Sequence, residues 1–309
     1  MLVASAAAMF GTLSYITRSA NELGMGAFSF VAWRGAIGTV AVFLVSQLAV
    51  MRMTRAGTSA PAWLPARRGR ALVVACLLGA VVNIAMFAAF LQTTVAVALI
   101  AFYTFPALVT LAAVPLYGER LTLVRAAALT LSGAGLALAV LSPILGSGTV
   151  TVDPIGVGLA ITAALSQASF ILITGRGFAP LPAARTSMYA IFAAGAIALL
   201  LAIALGDGAG LGVPFHEPEA WLWIIAGGTW GAAIPTTAFV AGIGLIGPSK
   251  AAILMTIEPL VGIAVAARLL GEQPTALQIL GGAAVLTAVI ILQLTPSRVP
   301  PEPEFGPLV

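Results

Sequence analysis

The stretch FPALVTLAAVPLYGERLT at residues 105–122 recurs in the same chain as EPLVGIAVAARLLGEQPT at residues 258–275. At an ungapped shift of 153 residues, Pro106 falls on Pro259, Gly118 on Gly271, Glu119 on Glu272 and Thr122 on Thr275. Each copy is an apolar run with a proline near its start and Gly-Glu near its end. Earlier in each half the shift is about 155, which sets Ser14-Tyr15 on Ser169-Phe170. The chain therefore reads as two copies of one unit, over 1–145 and 150–296. A proline-rich tail at 297–309 is expected to be disordered, and its last residues, from Glu304, look appended to the fold.

Composition says where these units live. The 309 residues are 61% hydrophobic and 8% charged, with a mean hydropathy of +1.10. A water-soluble domain carries roughly a quarter of its residues charged. A net charge of +4, scattered along the chain, is too weak for a phosphate-binding face and argues against nucleic acid. One cysteine, Cys76, excludes a disulfide within the chain, and one histidine, His216, argues against zinc chemistry. An all-α integral membrane protein remains.

A helix needs roughly 20 mainly apolar residues to cross a bilayer. Such runs lie at 2–20, 28–50, 71–91, 95–115, 123–142, 156–174, 185–205, 220–243, 249–269 and 276–294. They are continuous rather than alternating, so a β-barrel is not expected. The first run has no basic segment before it and reads as a span, not a cleaved signal. Two connections stand out as linkers: the basic 51–70 and the Gly-rich, acidic 206–219.

Ten spans in two units put five in each, and an odd number forces the second unit to enter from the opposite side. Charge agrees with inversion. With the N-terminus inside, inner connections and tail hold 11 of the 14 basic residues, as the positive-inside rule requires. Arg120 and Arg125 of the first unit correspond to Gln273 and Gln278 of the second. One structural corner thus loses its positive charge where the topology places it outside. The termini are expected on the cytoplasmic side of a bacterial-type inner membrane.

These marks resemble the EamA family of the drug/metabolite transporter superfamily. The resemblance rests on the five-span repeats, on Pro106 with Gly118-Glu119, on Pro259 with Gly271-Glu272, on Trp33-Arg34, and on Glu258-Pro259. The first unit departs from the Glu-Pro pattern, since Phe105 precedes Pro106. The resemblance implies ten helices around a central cavity, alternating access, and a monomer or weak homodimer. It further suggests a YddG-type exporter of aromatic and other neutral amino acids. Sugars, nucleotide sugars or drugs are the alternative cargo.

Inside a bilayer an ionisable side chain costs about 2.5–3.5 kcal/mol on insertion scales and persists where it faces water or a partner. Glu258 is near mid-span and beside a proline that frees a backbone carbonyl. It either binds a proton or a substrate ammonium, or is a protonated acid bonded to a neighbouring helix. Arg34 anchors its helix, pairs with Glu258, or holds a substrate carboxylate. Lys250 reads as a positive-inside charge, Glu119 and Glu272 as helix-terminal acceptors, and His216 as a solvated loop residue. Polar and aromatic residues in mid-span outline a cavity: Tyr15, Asn83, Phe87, Tyr103, Ser166, Gln167, Phe170, Tyr189, Trp230, Thr236 and Thr237. Asn83 and Thr236 are repeat mates, and matched positions of inverted repeats meet where transporter sites lie.

Pro106, Pro235 and Pro259 are candidate hinges. No H-E-x-x-H or G-x-S-x-G is present, so an enzyme acting on lipid is the lesser alternative, and with no P-loop direct drive by ATP is not expected. Neither a cofactor nor a metal is called for.

Overall fold

The computed structural model describes residues 1–55, 66–93, 95–118, 120–147, 153–176, 178, 181–269 and 275–294. Among them there is no strand. Six helical segments are long and apolar enough to cross a membrane: 27–47, 68–86, 154–175, 183–204, 220–246 and 248–269. Shorter apolar helices cover 105–117, 123–138 and 279–291.

The first half runs α1 (Leu2–Glu22), α2 (Ala27–Arg55), α3 (Ala66–Gln92), α4 (Val95–Phe102), α5 (Phe105–Tyr117) and α6 (Leu123–Ser147). The second half opens with α7 (Pro154–Gly175) and α8 (Ala183–Ala204). Next come α9 (Gly208–His216) and α10 (Ala220–Gly228), which passes through a π-helical turn at Thr229–Ala233 into α11 (Ile234–Ile246). It ends with α12 (Pro248–Leu254), α13 (Ile257–Leu269) and α14 (Ala276–Leu294).

Proline and threonine set the interruptions. Between α4 and α5 the chain turns at Tyr103-Thr104, and between α12 and α13 at Met255-Thr256. Pro106 lies in the first turn of α5. A proline has no N–H and is tolerated there, whereas inside a helix it breaks the ladder. Pro259 follows Glu258 in the first turn of α13. In both breaks a threonine hydroxyl donates to the carbonyl three residues earlier at 2.7 Å, Thr104 to Ala101 and Thr256 to Ile253. At Pro106 and Pro259 the helix is interrupted just before the proline. Pro235 follows the π turn. It cannot donate to Gly231, four residues back, and the widened turn absorbs that missing bond.

The two halves interlock in matched pairs. α2 packs on its counterpart α8, and α6 on its counterpart α14. α3 packs on α7, and the reciprocal contact of α1 with α10 and α11 is also present. Where α2 crosses α8 the backbones nearly touch: a Cβ on Gly35 would lie 2.5 Å from the Cα of Gly195, and one on Gly195 2.9 Å from the Cα of Gly35. Small residues permit such approaches in lipid, where packing replaces the hydrophobic drive.

The 206–219 stretch read as a linker forms α9. Asp207 explains why the chain folds back there. Its carboxylate accepts from the Ser29 backbone N–H at 2.9 Å and from the Ser29 hydroxyl at 3.3 Å. That places an acid on the orphan donors at the start of α2, where negative charge is favoured. Asp153 does the same locally for α7, accepting from Ile155 N at 2.7 Å and Gly156 N at 3.1 Å. Glu119, Gly271, Glu272 and the 297–309 tail lie outside the described residues.

Candidate functional site

A cavity of about 230 Å³ opens between the halves, with walls from α1, α2, α3, α4, α5, α7, α8, α11, α13 and the two interruptions after α10 and α12. Its polar lining is Arg34, Asn83, Gln167, Thr236 and Glu258. Its apolar lining includes Phe10, Phe102, Phe105, Phe170, Phe239 and Met255. The Gly35–Gly195 crossing of α2 and α8 is also part of the wall.

Arg34 is aimed by its neighbour. Trp33 Nε1 donates to the Leu211 carbonyl at 3.1 Å, and its ring meets Phe215 and Trp221 at centroid distances of 5.9 and 5.3 Å. Successive helical residues are rotated by about 100°. With Trp33 anchored against α9 and α10, Arg34 turns into the cavity. Its Nη2 donates to Asn83 Oδ1 at 3.3 Å. No ion pair joins Arg34 to Glu258.

Glu258 stands in the first turn of α13, immediately after the break. The unsatisfied N–H groups of a helix start favour negative charge. α1 crosses it closely at Gly11, where a Cβ would lie 2.5 Å from the Glu258 carbonyl oxygen. The Tyr103 side chain, from the other break, lies near enough to the Glu258 carboxyl to interact with it. Tyr103 is buried behind Phe102 and Phe105, with ring centroids 5.3 and 5.7 Å away.

Of the residues expected at the site, Arg34, Asn83, Gln167, Phe170, Thr236 and Glu258 line the cavity. Tyr103 touches it through Glu258. Tyr15, Ser166, Tyr189, Trp230 and Thr237 are not part of that lining. Tyr15 packs edge-on against Trp223 at 5.7 Å. Ser166 is buried within the bundle. Tyr189 lies 40% exposed on α8. Trp230, 48% exposed, donates to the Thr12 hydroxyl at 3.0 Å. Thr237 bonds back to the Ala233 carbonyl at 2.7 Å. Phe87 belongs to α3, and its side chain lies outside the described part.

The apolar wall residues not expected from sequence include Phe10, Phe102, Phe105, Phe239 and Met255. A helical-spacing signal was available for one of them. Phe239 is three residues after Thr236 on α11, so the two share a helix face, whereas Phe102 and Phe105 flank the turn between α4 and α5.

An apolar helical bundle, doubled in sequence, with charged side chains turned into a central cavity, defines a multi-pass membrane transporter of small solutes. The chain belongs to the EamA-like transporter family, whose model matches residues 1–141 and 154–294. A solved crystal structure shares the fold with a TM-score of 0.75 at 20% identity, covering 95% of this chain and 97% of that one. No curated protein matches the sequence.

Proposed function

We propose that the protein carries amino acids with apolar side chains across a bacterial inner membrane by alternating access, in the direction of export. The observation that carries this reading is the arrangement of charge: Arg34 and Glu258 line one cavity and no ion pair joins them. A guanidinium and a carboxyl held apart match the two ends of a zwitterion, and the phenylalanine wall suits its side chain. Pockets for drug-sized ligands run to about 300–1,000 Å³, so a cavity of about 230 Å³ fits a smaller solute.

The proposed frame is ten spans, with α4–α5, α10–α11 and α12–α13 each crossing as one interrupted span. The two five-span halves are inverted, and both termini are cytoplasmic. Inversion supports alternating access, because two similar halves that exchange conformations turn the cavity from one face to the other. Export rests on the resemblance to amino-acid exporters.

Proteoliposome uptake over a panel of amino acids, sugars and nucleotide sugars, with and without a pH gradient, tests the reading. A saturable signal confined to amino acids is expected. Uptake of sugars or nucleotide sugars alone would overturn the cargo assignment. Glu258 faces Tyr103 and shares its cavity with Arg34. If its carboxyl carries a coupled proton, Glu258→Gln flattens the pH profile of transport. An unchanged profile in a folded variant removes the proton role and leaves Glu258 as the ammonium partner.

A further inference from the structure

The Asn83 amide is tied at both of its ends. Its Nδ2 donates to the Gly79 carbonyl at 2.9 Å, one turn back on α3, and its Oδ1 accepts from Arg34 Nη2 at 3.3 Å. This orientation is the one chemistry allows, because a guanidinium only donates. Gly79, Asn83 and Arg34 all border the cavity.

The consequence lies in what Asn83 does not bring. It offers Arg34 an acceptor and no charge. Aspartate has nearly the same shape and would place a carboxylate at the same oxygen. With asparagine there, and with no carboxylate in salt-bridge range of Arg34 among the described residues, the guanidinium keeps its charge and its remaining N–H donors for an occupant. A forked donor of that kind takes a carboxylate through two parallel hydrogen bonds. Phosphate would also accept from it, but Glu258 in the same cavity disfavours a multiply charged anion, since like charges brought together are costly.

We propose that Asn83 is a specificity-determining residue: it holds Arg34 in place without neutralising it, and so makes the cavity select solutes that carry a carboxylate. This rests on the amino-acid reading, and deepens it by naming what rejects an amine that has lost its acid group. Replacing the amide by an acid closes an Arg34–Asp pair inside the protein. The carboxylate end of the site is then occupied, and the cavity, holding one more negative charge, turns towards cations.

The test uses the full chain in proteoliposomes with leucine, 3-methylbutylamine and 4-methylpentanoate as competing solutes. These share an apolar chain and differ in their charged ends. The wild type is expected to bind leucine and to exclude the amine. Asn83→Asp should weaken leucine by about tenfold or more and admit the amine. Asn83→Ala, which removes the tether and adds no charge, should weaken leucine while still excluding the amine. It serves as the readout if the Asp variant does not fold, and admission of the amine by the Ala variant would overturn the proposal. Equal losses in the Asp and Ala variants, with the leucine-to-amine preference unchanged, would show a merely structural role and also overturn it. A wild type that binds 4-methylpentanoate and not leucine sinks the amino-acid reading alone, and Asn83→Asp must still weaken that acid. A wild type that binds no carboxylate sinks both.

Discussion

Trp33 and Arg34 are adjacent in the chain and have opposite surroundings, one pinned to the Leu211 carbonyl and the other facing the cavity. Charged residues such as Arg34 and Glu258 were readable from sequence, because a bilayer tolerates them only where water or a partner waits. The hydroxyl and aromatic residues were not. Thr237 satisfies itself on its own helix, and Trp230 finds Thr12 away from the cavity wall, so polarity in mid-span does not reveal which face a side chain occupies. Most of the phenylalanine wall was hidden for the opposite reason, since an apolar residue in an apolar span carries little signal beyond its spacing from a polar neighbour. Tyr103 had been expected on the wall and instead supports Glu258 from behind it. Its side chain lies against the Glu258 carboxyl, and losing a polar neighbour of that kind costs about 1 kcal/mol net. Tyr103→Phe is therefore expected to raise KM for amino acids by about fivefold, with the maximal rate little changed. A fall in rate at unchanged KM, measured by uptake kinetics, would contradict that role.

At the scale of elements, the two prolines announced interrupted helices at equivalent places, and both interruptions are present. What sequence did not show is how they are finished. Thr104 and Thr256, 152 residues apart, each turn a hydroxyl back onto the last carbonyls before the break. A lone threonine in a span has many bland uses, and only the matched geometry distinguishes these two. α9 was unreadable because glycines and Pro214 mask its helical pattern, and the tie that seats it, Asp207 to Ser29, spans 178 residues. The α2–α8 crossing carries its own prediction. A side chain at Gly195 would strike the backbone of Gly35, which cannot move without displacing α2. Overpacking of this kind costs about 1–3 kcal/mol. Gly195→Val should lower the melting temperature of the purified protein in detergent by several degrees, and the cavity wall beside it should lose transport as well. An unchanged melting temperature would mean that the two helices are not in such close contact.

Across the whole molecule, duplication was legible because proline, glycine and glutamate recur at one spacing, and the family match follows the same two halves. The pairing of α2 with α8 and of α6 with α14 could not be read that way, since small-residue helices are compatible with many partners. The account as a whole depends on the halves running in opposite senses through the bilayer. Single cysteines at Arg120 and Gln273, in a chain whose own buried Cys76 is replaced by alanine, test this with a membrane-impermeant thiol reagent added to either side. The account predicts labelling of position 120 from the cytoplasmic side and of position 273 from the other. Labelling of both from one side would contradict it.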